Sequence, residues 1–309
     1  MVFDIIGDIH GYADRLKSLL KSLGYVESEG AYRHSDQNRR AIFVGDFVDR
    51  GPQIPEAVLL VRSMVEAGSA LATMGNHEYN AICFHTRKPG EDHRWMRTRN
   101  DSHINQHIET LYQFRNQRRL WEEHLAWFST LPLYLDLAGI RVIHAAWDPA
   151  SIDVLRSYST SGNSLTDHLL PVCTLRGTPE FQAIQNILKG IEIQLPSLGP
   201  IVDKDGIVRQ EMRVRWWLDT KGKTLDDISF ADVPGSAGKP IPDSVKRIIP
   251  GYTDPKPVFV GHYWLEEKKP HVLASNVACL DYSVANGGYL AAYSWSGESE
   301  LCNGHFSVA

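Results

Sequence analysis

The sequence predicts an α/β protein whose sheet is buried on both faces by helices, and three stretches carry that expectation. "VFDII" (2–6) leads into "GDIHG" (7–11), and Leu16, Leu19, Leu20 and Leu23 then recur at helical spacing. "AIFV" (41–44) leads into "GDFVDRG" (45–51), after which Val58, Val61 and Val65 lie along one helix face. "ALATM" (70–74) leads into "GNHEYNA" (75–81). Strand-like runs alternating with helices form βαβ units, which cover both faces of a sheet. Polar loops beyond the strand ends of such a sheet gather in one place, so the three clusters are expected to be neighbours.

The remaining elements follow in order. From about Lys88 to Thr130 the chain is rich in Arg, His and Gln, with apolar positions such as Ile104, Ile108 and Leu111, and reads as a helical insertion. "LPLYLDLAGIRVIHAAW" reads as two strands joined at Gly139, the second ending in His144. Residues from about 150 to 257 include "PSLGPIVDKDG" and "VPGSAGKPIPDS", a Pro/Gly/Asp composition that predicts a loop-rich elaboration. "PVFVGHYW" resumes the pattern of strand, glycine and histidine. "VACLDYSVANGGYLAAYSW" predicts a closing strand pair around Gly287 and Gly288. With no repeat of fixed period and no linker, one elaborated domain over 1–309 is expected.

Composition narrows the function classes. The chain has 309 residues, 43% hydrophobic and 22% charged, which is ample for a globular core. A formal net charge of -5 provides no global basic field for nucleic acid. Cys83, Cys173, Cys279 and Cys302 are far apart and read as reduced thiols. "MVFDIIGDIHG" lacks the basic region and cleavage site of a signal peptide, and no segment is apolar enough for a bilayer. A cytoplasmic enzyme or binding protein is expected, with no membrane partner; the oligomeric state is left open.

The chemistry lies at the strand ends, which carry Asp8, His10, Asp46, Asp49, Asn76, His77, His144 and His262. Each cluster alone would pass for a turn, because Asp, Asn and Gly favour turns. Five of them, each after a strand-like run, point instead to one site. Oxygen and nitrogen donors without thiolate suit Mn²⁺, Fe or Zn²⁺. They are too many for one ion, and the central Asp46 is the candidate bridge between two.

"GDIHG", "GDFVDRG", "GNHE", the later "HA" and the final "GH" resemble the signatures of the calcineurin-like metallophosphoesterases. Within that superfamily, GDxHG, GDxVDRG and GNHE in this order resemble the phosphoprotein phosphatase branch. "GNHEYNAI" and "GHYW" are similar to the bacterial group that includes cold-active protein-tyrosine phosphatases. The likeness covers 1–80 and the strands near 133–148 and 257–295. It implies a four-layer α/β/β/α sandwich of mixed sheets. It also implies two metal ions (Mn²⁺, Fe²⁺/³⁺ or Zn²⁺), one on Asp8, His10 and Asp46 and the other on Asp46, Asn76, His144 and His262. A hydroxide between them would attack phosphorus directly, His77 would protonate the leaving oxygen, and Asp49 would orient His77. Arg50 would bind phosphate oxygens.

The chain departs from its relatives at three points. Met74 stands where an Arg often precedes GNHE, and Ala145 and Ala146 replace small glycines after His144. A second phosphate-binding Arg has no aligned counterpart; among Arg213, Arg215 and Arg176, Arg215 is preferred. His103 and His107 in "HINQH" are read as a solvated helix face, as is the Arg-rich "RNQRR". Trp216, Trp217, Tyr263 and Trp264 are read as core. Phosphoprotein hydrolysis leads the functional reading, with a phosphorylated protein or small phosphoester as partner. Nucleotide hydrolysis (diadenosine-tetraphosphatase-like or cyclic phosphodiesterase) is the alternative, and a non-catalytic scaffold is the reading from another class.

Overall fold

A computed structural model describes residues 1–158, 163–194, 201–202, 208–209, 211–230 and 236–309. The N-terminal part runs β1 (Val2–Ile6), α1 (Ala13–Ser22), β2 (Tyr25–Ser28), β3 (Ala31–His34), β4 (Arg39–Phe43), α2 (Ile54–Glu66), β5 (Ala70–Ala72) and α3 (Asn76–His85). A hairpin of β6 (Arg87–Lys88) and β7 (Glu91–Trp95) precedes α4 (Asp101–Gln113) and α5 (Arg118–Thr130). Next come β8 (Tyr134–Asp136), β9 (Arg141–Ile143), α6 (Pro149–Arg156), α7 (Leu169–Cys173) and α8 (Pro179–Lys189). Short elements follow: β10 (Glu192–Gln194), β11 (Ile201–Val202), β12 (Val208–Arg209), β13 (Glu211–Arg213), α9 (Leu225–Ile228) and α10 (Asp243–Lys246). The chain closes with β14 (Val258–Val260), β15 (Val277–Cys279), β16 (Asp281–Tyr282), β17 (Tyr289–Trp295) and β18 (Phe306–Val308).

Two mixed sheets result. One has the order β16-β17-β1-β4-β5, with β18 added on β17; the other is β15-β14-β9-β8. Alternation along β1 explains the layering. Phe3 and Ile5 pack with Ile42, Val142, Phe259, Ala278 and Tyr293 between the sheets, whereas Ile6 joins the core shared with α1 and α2. The apolar spacing read in α1 and α2 is the buried stripe, with Leu16, Leu19, Leu20, Val58 and Val61 fully enclosed. Two face-to-face mixed sheets with helices packed against them form the α/β sandwich expected from the motifs.

Three expectations are refined. The stretch after Arg87 opens on a hairpin before its helices, because Pro89-Gly90 makes a turn with Gly90 at φ 74°. The closing strand pair is shared between sheets: β15 pairs with β14, and the chain crosses at Leu280 so that β16 pairs with β17. Leu280 is pinned there by its N–H, which donates to Val260 O at 2.8 Å. Most of "PSLGPIVDKDG", and residues 233–235 of "VPGSAGKPIPDS", lie outside the described residues. No helix among the described residues is long and apolar enough to cross a membrane.

The parallel heart of the first sheet is stapled by a buried carboxylate. Asp4 accepts from Arg39 Nε and Nη2 at 2.7 Å each, from Tyr25 Oη at 2.9 Å and from Ser294 Oγ at 2.6 Å. It thereby joins β1 to both neighbouring strands and to the β2–β3 hairpin. Removing one partner of a buried pair leaves the other uncompensated. We expect Asp4→Ala to cost about 3 kcal/mol in urea unfolding, with an unchanged m value. A midpoint equal to wild type would show that the staple is dispensable.

Candidate metal centre

The first three loops are tied together by backbone before any side chain converges. Ile9 and His10 donate their N–H groups to Asp46 O at 3.1 and 2.8 Å, and Gly11 donates to Phe47 O at 2.9 Å. The third loop is held by Glu78, fully buried in the first turn of α3. Its carboxylate accepts from Asp46 N at 2.7 Å, Phe47 N at 2.8 Å and Gly75 N at 3.0 Å. Burial and the adjacent Asp46 charge push this carboxyl up to about 7. Gly75 is required by this closeness, since a Cβ there would lie 2.2 Å from Asp46 Oδ1. The C-terminal loop is drawn in similarly, with His262 N donating to Asp8 Oδ2 at 3.0 Å.

These contacts force unusual backbone. His10, Asp46, Asp49, Arg50 and His262 all have φ between 44° and 73°, the left-handed region that side chains disfavour. Such residues cost on the order of 1–3 kcal/mol each and persist only where surrounding structure imposes them. Five in one cluster mark a site for which strain is accepted.

The donor atoms are oriented for cations. His10 Nδ1 donates to Val48 O at 3.0 Å and His144 Nδ1 donates to Val44 O at 2.9 Å. Each ring therefore turns its Nε2 lone pair inward. His144 Nε2 lies 3.3 Å from Asp46 Oδ2 and 3.0 Å from Asn76 Oδ1, and His262 Nδ1 lies 2.7 Å from the same Asn76 oxygen. Two groups of potential ligand atoms gather, His10 with Asp46 and His77, and Asp46 with His144 and His262. Asp46 belongs to both.

The residues present fit cations on two further observations. Asp8 Oδ1, His10 Nε2 and His262 Nε2 are buried without any hydrogen-bond partner. An unpaired buried polar atom costs about 1–3 kcal/mol, so three in one place call for a ligand. The cluster also crowds carboxylates: burial and Asp281 raise Asp8, and burial raises Asp281. At His144 burial opposes a charge, yet the Asp46 carboxylate overrides it and pushes the imidazole up to about 10. Asp46 thus favours positive charge beside it.

Beside the cluster, His77 Nδ1 meets Asp49 Oδ2 at 2.6 Å, the pairing expected from the sequence. Its Nε2 faces Asp46 Oδ2 at 3.9 Å. The sequence reading missed what holds Asp49. His107 Nδ1 and Thr110 Oγ1 each donate to Asp49 Oδ1 at 2.6 Å. His107 is thus buried, and the solvated-face reading of "HINQH" is corrected for it; His103 bonds Thr98 O at 2.6 Å near the surface. The available signal was Thr110, three residues past His107 on the same helix face. Burial opposes charge at Asp49, but His107 and His77 hold it well below the usual carboxylate range.

Arg50 is exposed, its guanidinium 3.9 Å from the Trp264 ring centroid. Trp264 accordingly borders the site, whereas Trp216, Trp217 and Tyr263 are core as expected. Arg215 is exposed, 5.9 Å from the Phe230 ring, and makes no hydrogen bond or ion pair with the six ligand candidates. His262 is pushed down by burial and then by the charge of Arg213, which stands two residues before Arg215 and pairs with Glu192 at 3.0 Å. Asp281, also unforeseen, accepts from Trp264 N at 2.9 Å and Ser283 N at 3.0 Å, fixing the loop that bears His262.

Comparisons with known proteins agree with this geometry. The family model described as calcineurin-like phosphoesterase matches residues 1–262. A bis(5'-nucleosyl)-tetraphosphatase (asymmetrical) of Oceanobacillus iheyensis is 33% identical over 150 residues, 47% of this chain and 55% of that protein. A related tetraphosphatase of Halalkalibacterium halodurans is 48% identical over 77 residues, 25% of this chain and 31% of its own. The chain thus matches about half the length of the first relative and less of the second. Among solved structures, a protein serine/threonine phosphatase of Saccharomyces cerevisiae shares the fold at TM-score 0.51 and 13% identity, over 100% of this chain and 79% of that one.

Replacing Glu78 tests the loop assembly. Glu78→Gln would turn an amide N–H₂ toward backbone donors that need an acceptor. We expect a loss of about 1–3 kcal/mol in thermal or urea unfolding. Retained metal is expected to fall as Asp46 shifts. Wild-type stability and metal content in this variant would show that the loops hold themselves.

Proposed function

Because the chain belongs to the calcineurin-like phosphoesterase family, we propose that it is a two-cation hydrolase acting on dinucleoside polyphosphates. The observation that carries the hydrolytic part is the set of buried, unpartnered donors around Asp46. In this reading Asp8, His10 and Asp46 would hold one cation, and Asp46, Asn76, His144 and His262 would hold the other. Mn²⁺, Fe or Zn²⁺ suits such oxygen and nitrogen donors. The substrate class is supported by the curated relatives, which are named as asymmetrical tetraphosphatases. The motifs alone rank a phosphoprotein first; the relatives favour the nucleotide alternative.

When bound, paired cations supply Lewis-acid polarisation of a phosphoryl group and activate water. The protein's own part is positioning and proton transfer. Arg50, steadied on Trp264, offers a planar fork of donors to the non-bridging phosphate oxygens. Asp49 holds the Nδ1 proton of His77 and fixes the ring, so that a proton on Nε2 can pass to the leaving oxygen. His107 and Thr110 fix Asp49 in turn, so the acid is oriented through two layers of hydrogen bonds.

His77 Nε2 also lies within reach of the first cation group, so its role needs a direct test. We expect His77→Asn to retain both metals by elemental analysis. Its turnover should fall by about 10²–10⁴-fold on substrates with poor leaving groups, and by less on aryl phosphates. Loss of a metal in this variant would make His77 a ligand instead. Asp46→Asn, by contrast, is expected to lose both ions.

Specificity is read from a substrate panel with the Mn²⁺-loaded protein. Diadenosine tetraphosphate should give the highest kcat/KM, releasing ATP and AMP. A phosphotyrosine or phosphoserine peptide turning over with higher kcat/KM would restore the phosphoprotein reading. Metal-loaded protein inactive on every phosphoester would favour the scaffold.

A further inference from the structure

A second feature lies one helical turn beyond the metal cluster. A cavity of about 740 Å³ opens between α3, the stretch following the β6–β7 hairpin, and α8. That volume lies within the range of small-molecule sites. Its lining includes Lys88, Arg94, Arg97, Arg99, Arg176 and Lys189 and, among the described residues, no Asp or Glu. The whole chain carries a net charge of -5, so global basicity does not explain this concentration.

The cations are poorly neutralised. Arg94 pairs with Glu91 at 3.2 Å, and Arg99 is stacked 3.4 Å from the Trp95 ring centroid. Among the described residues the Arg97 side chain is bonded to the neutral Gln106 side chain at 2.5 Å, and that of Lys189 to Gln185 at 2.7 Å. Among the described residues no carboxylate pairs with Arg97, Arg176 or Lys189. Burial and the neighbouring Arg97 charge push Lys189 down to about 8, against the weaker opposing charge of Glu192. An anion in the cavity would relieve this repulsion.

The cavity also adjoins the reaction centre. Asn80, on its wall, lies one turn after Asn76 and His77 on α3, roughly 5 Å along the axis. The favourable charge nearest in effect to Arg97 is that of Asp49, which orients His77. We infer that this cavity is an anion subsite for the phosphate chain of a polyphosphorylated ligand. That chain is either the distal part of a substrate whose scissile phosphate lies at the metals, or a free polyphosphate. The first case rests on the dinucleoside polyphosphate reading; the subsite itself does not. Six cations around one cavity suit several linked phosphates better than one, because Arg and Lys bind phosphate oxygens by charge-assisted hydrogen bonds.

The test uses inorganic tripolyphosphate as probe, with orthophosphate as comparison, titrated calorimetrically into the metal-loaded protein. Arg176→Gln changes an exposed side chain and so serves beside the half-buried Lys189→Gln should that variant fold poorly. Each substitution should weaken tripolyphosphate about tenfold, with a much smaller change for orthophosphate. KM for diadenosine tetraphosphate is measured alongside KM for 4-nitrophenyl phosphate. A larger rise for the long substrate assigns the cavity to the substrate's distal phosphates. Weakened tripolyphosphate with parallel KM values assigns it to a separate polyphosphate. Weakened tripolyphosphate in a protein that cleaves no nucleotide would sink the substrate proposal and leave the subsite standing. Unchanged tripolyphosphate affinity in Arg176→Gln and in folded Lys189→Gln would overturn the subsite, whatever the enzyme cleaves.

Discussion

The carboxylate of Glu78 joins two loops that the chain supplies separately, and the metal cluster depends on that join. By accepting from Asp46 N, Phe47 N and Gly75 N, it sets the N-terminus of α3 against the turn that carries Asp46. His77 N then donates to Asp46 Oδ1 at 2.9 Å, so one contact aligns the candidate bridging carboxylate and the proposed proton donor together. A neutral or shorter side chain could not satisfy three backbone donors at once. Gly75 follows as a corollary, because the closeness that Glu78 enforces leaves no room for a Cβ.

The rest of the site shows the same logic at the next layer out. Asp281 ties down the loop bearing His262, and His107 with Thr110 ties down Asp49. Left-handed backbone at His10, Asp46, Asp49, Arg50 and His262 is tolerated because these buried hydrogen bonds over-determine it. Buried carboxylates and inward lone pairs raise the energy of the metal-free centre, and cations would repay it. Stability and metal uptake are therefore expected to be linked in this fold.

Much of this was legible in the chain itself. The alternation of apolar runs and glycine-flanked clusters identifies β1, β4, β5 and β14 because strand ends and turns have local chemistry. The gathering of Asp8, His10, Asp46, Asn76, His144 and His262 in one place is legible because each stands in a short motif. His107 and Asp281 were not, since His107 reaches Asp49 across 58 residues of chain and Asp281 acts through the backbone N–H of Trp264. Arg215 illustrates the converse: an arginine beside aromatics invites a phosphate-binding role, yet the pleat of this region turns it outward. The basic cavity is assembled from α3, the hairpin stretch and α8, and no linear pattern announces it.

The central claim is that the buried donors around Asp46 form one centre for two cations. Equilibrium dialysis of metal-free protein against Mn²⁺, followed by elemental analysis and thermal unfolding of the same samples, tests it most directly. The account predicts two ions per chain and, for each, about 2.7 kcal/mol of added stability at a hundredfold excess over Kd. Protein that takes up no metal, and whose unfolding midpoint is unmoved by Mn²⁺, Fe²⁺ or Zn²⁺, would contradict it.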